Sequence, residues 1–225
     1  MAQLPEGDVA PLDGALGASV LDGIDARTMH AYVHIPFCRV RCGYCDFNTY
    51  TSTELRGVTP SSFQIDLHQE IDFAAQVMTQ ANLPARELST VFFGGGTPTQ
   101  LAASELVSIL GHLRDNFGIT VGAEITSEAN PDNVDLEYLK TLAAGGFTRI
   151  SLGMQSAVPE VLATLDRTHN PASVAQAVKA ARDVGLQVSV DLIYGAPSET
   201  LSQWKQSVEA ALELEVDHIS AYSLI

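Results

Sequence analysis

Tyr32-Val33-His34-Ile35-Pro36-Phe37-Cys38-Arg39-Val40-Arg41-Cys42-Gly43-Tyr44-Cys45 holds all three cysteines of the 225-residue chain. Its first half is a β-prone run that Pro36 terminates, so a strand delivers the cysteines into a loop at its C-terminal end. Scattered cysteines are most often buried thiols, whereas a Cys-x3-Cys-x2-Cys window brings three thiolates to one place. Soft thiolates favour iron–sulfur clusters, zinc or Cu(I). A structural zinc site closes with a fourth Cys or His, and no further Cys pair or HxxxH lies nearby to supply one; zinc and inert core thiols nevertheless stay open as readings of the spacing. Three cysteines on a cubane cluster leave one iron open to a further ligand.

Outward from this stretch, strand-like and helix-like segments alternate. Thr59-Pro60 offers a helix N-cap and first position, followed by Phe63, Leu67, Ile71, Ala74 and Met78 at helical spacing. Thr90–Phe93 is strand-like and runs into Gly94-Gly95-Gly96-Thr97-Pro98; Leu106, Ile109, Leu110, Leu113 and Phe117 then mark a helical face ending at Gly118. Further strands are expected at Glu124–Glu128, Arg149–Gly153, Gln187–Ile193 and His218–Leu224, with apolar helical faces between them. Six strands separated by helices imply parallel pairing through crossovers. A doubly wound sheet and an open barrel both satisfy that pattern. Residues 1–30, with Pro5, Gly7, Pro11, Gly14, Gly17 and Gly23, show no sustained period and are expected to form a loosely ordered extension before a core domain at 31–225.

Twenty-seven acidic against 12 basic side chains give a formal charge of −15. Such a field repels phosphate backbones and anionic lipid, so no nucleic-acid partner is expected. It also serves simply to keep the surface solvated. No apolar run is long enough for a transmembrane segment, and no secretory signal is evident. A clustered, odd set of cysteines suits a reducing compartment; the expected location is cytoplasmic.

Several polar residues fall at strand ends. Gly94-Gly95-Gly96-Thr97-Pro98 lets backbone approach a ligand, or merely turns the chain. Glu128 ends the third strand, able to pair with a ribose hydroxyl or an amino group, or to precede a helix on the surface. Gln155 carries an amide that donates and accepts, and buried amides are more often structural. Asp191 sits in an otherwise apolar strand and needs compensation, for which Arg167 is the candidate ion-pair partner. Tyr32 and Tyr44 flank the cysteines as ligand contacts or packing. His34, alone in an apolar strand, reads as a hydrogen-bonded core residue rather than a fourth metal ligand.

The window CRVRCGYC resembles the cluster motif of the radical S-adenosylmethionine (SAM) superfamily, and AYVHIPFCRVRCGYCDFNTY resembles its coproporphyrinogen-oxidase-like branch, most of all the haem-chaperone group within it. The resemblance implies an α/β fold, a partial (β/α)6 TIM-like barrel of the radical SAM type. It implies Cys38, Cys42 and Cys45 as ligands of a 4Fe-4S cluster, with SAM on the open iron. Gly95, Gly96 and Thr97, in a GGxxP-like segment, are implied as contacts for the methionine amino group of SAM. Tyr32, Tyr44, Glu128, Gln155, Arg167 and Asp191 are implied as further cofactor contacts, including a possible second SAM. If SAM is cleaved, a reduced cluster releases a 5′-deoxyadenosyl radical that the protein must shield from water.

Two functions follow from the resemblance. One is a haem chaperone that binds haem and transfers it to recipient haem proteins, with an electron donor for the cluster; the other is oxygen-independent coproporphyrinogen III dehydrogenase, acting by oxidative decarboxylation. The dehydrogenases resemble CxxxCxxCxC, and here the place of the extra cysteine is Phe47, within a CDFNxY pattern that favours the chaperone. Both groups normally continue into a C-terminal region with, in the chaperones, an HNxxYW-like motif that does not occur here. The expectation is therefore a C-terminally truncated form that keeps the cluster and SAM site, lacks much of the tetrapyrrole site, and is prone to aggregate through an uncovered last strand.

Overall fold

In the computed structural model, which describes residue 9 and residues 11–51, 54 and 57–224, six strands form one sheet in the order β1-β2-β3-β4-β5-β6, every neighbouring pair parallel. Pro5, Gly7 and Ile225 lie outside the described residues. The strands are β1 (Met29–Ile35), β2 (Leu88–Gly95), β3 (Ile119–Ala129), β4 (Arg149–Gln155), β5 (Gln187–Tyr194) and β6 (His218–Ser223). The helices between them are α1 (Pro60–Gln80), α2 (Ala103–Phe117), α3 (Leu136–Ala144), α4 (Pro159–Thr164), α5 (Pro171–Asp183) and α6 (Leu201–Glu213). A doubly wound sheet reverses its strand order at a switch point; this one never does. The sheet is a partial, open (β/α)6 barrel, and the doubly wound alternative is excluded.

Period-2 alternation explains how the sheet is used. Val33, Ile35, Val91, Phe93, Ile125, Ile150, Leu152, Val188, Val190 and Leu192 are buried on the helix-facing side, with Leu106, Ile109, Leu110, Leu139, Leu142, Val178 and Ala181 packed over them. The opposite residues, Tyr32, His34, Phe92, Glu128, Ser151, Ser189 and Asp191, meet one another across the concave face. That concave face is largely polar, unlike the branched-aliphatic filling of a closed TIM barrel, and is thereby suited to a polar ligand.

Helix starts follow local rules. The Thr59 side chain accepts the Ser62 N–H, Asp135 caps α3, Asn170 caps α5, and Thr200 and Gln203 form a reciprocal capping box on α6. Each strand differs from expectation at one end or both; β2 spans Leu88–Gly95 rather than Thr90–Phe93, and β6 ends at Ser223 rather than Leu224. β1 begins at Met29, inside the segment read as extension, and β3 begins at Ile119 rather than Glu124, because its first half pairs Ile119 with Leu88 before the register shifts. β4 and β5 run on to Gln155 and Tyr194. The described part of the 1–30 segment carries 3-10 turns at Ala18–Leu21 and Ile24–Ala26, and the Arg86 guanidinium bonds the carbonyls of Ile24 and Arg27.

Candidate functional site

The cysteine loop leaves β1 at the C-terminal edge of the sheet and is closed at its base by backbone. Cys38 N–H donates to the Tyr50 carbonyl (2.9 Å) and Tyr50 N–H to the Pro36 carbonyl (2.8 Å). The glycine segment then grips it: Gly96 N–H donates to Ile35 O and Thr97 N–H to Phe37 O, both at 2.8 Å. These two N–H groups hold the loop. Their geometry requires glycine, because a Cβ on Gly96 would stand 2.6 Å from the Phe37 carbonyl oxygen and 3.0 Å from Cys38 Sγ.

Cys38, Cys42 and Cys45 are free, partly exposed thiols. Burial pushes the Cys38 thiol up, opposed by the nearby Thr49 and Thr97 hydroxyls; the neighbouring Cys45 and Cys42 push in the same direction as burial. Among the described residues, no three His, Cys, Asp or Glu side chains already stand grouped as metal ligands. The donor set fits a cluster nonetheless: three soft ligands in one loop, hydroxyls on Cys38, and the Arg167 Nη1 placed 3.6 Å from Cys42 Sγ.

Two arginines of the loop tie it outward. Arg39 donates to Asp132 Oδ2 (3.3 Å) and Thr168 Oγ1 (3.1 Å), whereas Arg41 pairs with Glu54 (3.4 Å) and bonds the Thr49 carbonyl. Phe47 points outward and is 65% exposed.

On the concave face, burial, with the charge of Asp191 second, pushes the Glu128 carboxyl up to about 7, partly offset by the Gly95 backbone. Asp191 is raised by burial too, partly offset by hydrogen bonds from Ser220 and Ser151, the latter at 3.2 Å. Tyr32 stacks on Phe92 (centroids 6.2 Å), and burial followed by Glu128 raises its hydroxyl. His34 Nε2 lies 2.8 Å from the Asn48 carbonyl, which only accepts, so Nε2 carries the proton and Nδ1 accepts from the Tyr32 hydroxyl at 3.0 Å. Both ring nitrogens are engaged, in keeping with a hydrogen-bonded strand residue.

Gln155 ends β4 at φ 61°, buried, with its Oε1 unpartnered. The expected Arg167–Asp191 ion pair does not form. Arg167 reaches the Gly153 carbonyl (3.0 Å), Asn130 Oδ1 and Cys42, whereas Asp191 turns to Ser151 on the neighbouring strand. The two sit at different depths: Asp191 inside β5, Arg167 in the loop after α4. Tyr44 packs against Val158, Val161, Leu165, Ile193 and Ala196, and burial raises its hydroxyl.

The structure thus gathers the cysteines, Gly95, Gly96, Thr97, Glu128, Tyr32, Gln155, Arg167 and Asp191 around one end and one face of the barrel. Thr49, Asn130 and His169 join them without having been singled out. Asn130 follows Glu128 at a strand end and carried the same signal. His169 is 6% exposed, and burial, then the Arg167 charge, pushes it down to about 4, so its ring is neutral. Among the described residues, no helix is long and apolar enough to cross a membrane.

The family model described as the Radical SAM superfamily matches residues 32–211. The chain is 47% identical over 195 residues to a curated Mycobacterium tuberculosis protein named heme chaperone HemW, covering 86% of this chain and 49% of that protein. A Bacillus subtilis protein of the same name is 35% identical over 197 residues, covering 87% of this chain and 50% of it. Among solved structures, coproporphyrinogen III oxidase (HemN) from Escherichia coli, described as a radical SAM enzyme, superposes with a TM-score of 0.78 at 30% identity, over 88% of this chain and 44% of that one. The chain spans about half the length of the curated relatives it matches.

Proposed function

The chain belongs to the radical SAM superfamily, and we propose that it is the cluster- and SAM-binding part of a haem chaperone, a protein that takes up haem and passes it to haem proteins. The family implies a 4Fe-4S cluster and SAM as cofactors. Phe47 carries the choice within the family: it occupies the place where the dehydrogenase pattern has a further cysteine. Similarity to curated haem chaperones points the same way.

In this reading Cys38, Cys42 and Cys45 hold the cluster, which when bound supplies an open iron and a low-potential electron. Gly95, Gly96 and Thr97 line the SAM methionine end. With the Gly96 and Thr97 N–H groups committed to β1 and the cysteine loop, an ammonium is received by backbone carbonyls. Glu128, its carboxyl raised by burial, can accept from a ribose hydroxyl or, when protonated, donate to one. Gln155 offers its unpartnered oxygen, Asp191 a carboxylate, and Arg167 a guanidinium; Tyr32 and Tyr44 wall the space. The proposed setting is cytoplasmic, with a core domain that runs from β1 onward, an electron donor as partner and nucleic acid disfavoured by the −15 charge.

Oxygen-independent coproporphyrinogen III dehydrogenation is the second reading, favoured by the similarity to the E. coli oxidase. A form extended to the length of the curated relatives separates the two when it is titrated anaerobically with haem and assayed for coproporphyrinogen III decarboxylation. Haem binding and transfer without decarboxylation is expected. Robust decarboxylation without haem transfer would reverse the assignment.

A further inference from the structure

The loop after α4 meets the cysteine loop at three consecutive residues. Thr168 Oγ1 accepts from Arg39, Arg167 Nη1 points at Cys42 Sγ, and Asp166 covers Gly43 so closely that a Cβ there would lie 2.5 Å from its Oδ2. The guanidinium is held at both ends. One end is fixed by the Gly153 carbonyl (3.0 Å) and Asn130 Oδ1, leaving Nη1 3.6 Å from the sulfur. His169, buried and neutral, adds no second charge beside it.

We propose that Arg167 is a positioning residue for the cluster itself: its charged N–H···S bond to Cys42, held in place by Asn130 and Gly153, raises the cluster's reduction potential independently of SAM. Reduction adds negative charge to the cluster and its thiolates, so a fixed cation and a hydrogen bond on one sulfur favour the reduced form. Arg167 delivers both from one rigid fork, which a lysine cannot reproduce.

The inference rests on the cysteine loop holding a cluster, and the test separates the two. Wild type, Arg167→Gln, Arg167→Lys and Asn130→Ala are reconstituted anaerobically and titrated with a low-potential reductant in the absence of SAM. At a fixed potential, Arg167→Gln is expected to show at least a tenfold lower ratio of reduced to oxidised cluster, about 59 mV for a one-electron couple. Arg167→Lys and Asn130→Ala should shift less, in the same direction. An unchanged potential in cluster-loaded Arg167→Gln overturns the proposal. If that variant fails to retain iron, Asn130→Ala decides, and an unchanged potential there overturns it equally. A wild type that binds no cluster refutes instead the reading on which the inference rests.

Discussion

Gly96 joins two backbone segments that have no room between them: its amide bonds Ile35 while its Cα faces the Phe37 carbonyl and Cys38 Sγ. Gly96→Ala must push the loop off the sheet, at a cost of about 1–3 kcal/mol by overpacking; the expected result is a folded protein whose iron content after reconstitution is strongly reduced. Full iron content in that variant would show that the grip is dispensable. Glu128 makes a pH prediction. Its carboxyl is raised in the folded state to about 7 from an ordinary 4.5, so the native protein binds more protons than the unfolded chain between those values. Stability from this group therefore falls as pH rises from about 4.5 through about 7. Glu128→Gln should flatten that part of the Tm-versus-pH curve relative to wild type; parallel curves would contradict the burial argument. The cysteines, the glycines and Glu128 were legible in the sequence because their residue types and strand-end positions restrict what they can do. The partners of Arg167 were not legible, because Asn130, Gly153 and Cys42 lie far from it along the chain and meet it only in the fold.

At the scale of elements, strand cores read well and strand ends less so. Alternating apolar residues set the helix-facing side of β2 and β5, but the first half of β3, Ile119 to Ala123, carries little alternation and is a strand because Ile119 pairs with Leu88. Helix caps were legible at Thr59 and Asn170, where a side-chain acceptor precedes proline. The tie between α6 and the turn after β4 was not. Ser207 and Ser156 are fully buried with hydroxyls 2.9 Å apart, and Ser207 Oγ also accepts the Ala157 N–H at 3.1 Å while donating to Gln203 O. Ser207→Ala strands two buried donors, Ala157 N–H and the Ser156 hydroxyl, and should lower unfolding stability by about 1–3 kcal/mol, read as a lower urea midpoint at constant m-value. An unchanged midpoint would mean that the turn finds other partners.

For the whole molecule, six βα alternations fit two topologies, and only the order in space distinguishes them. A sheet that adds each strand beside the last, with no reversal, curls into an open barrel whose polar concave face and cysteine-bearing end meet. The barrel was legible through family resemblance, not through periodicity, since crossover helices look alike in both folds. The most direct measurement is anaerobic reconstitution with iron and sulfide, followed by metal analysis and electron paramagnetic resonance of the reduced protein with and without SAM. The account predicts about four irons per chain, a reduced-cluster signal that SAM alters, and loss of both in Cys42→Ala. A colourless protein that takes up zinc in place of iron, or a cluster that survives Cys42→Ala, would contradict it.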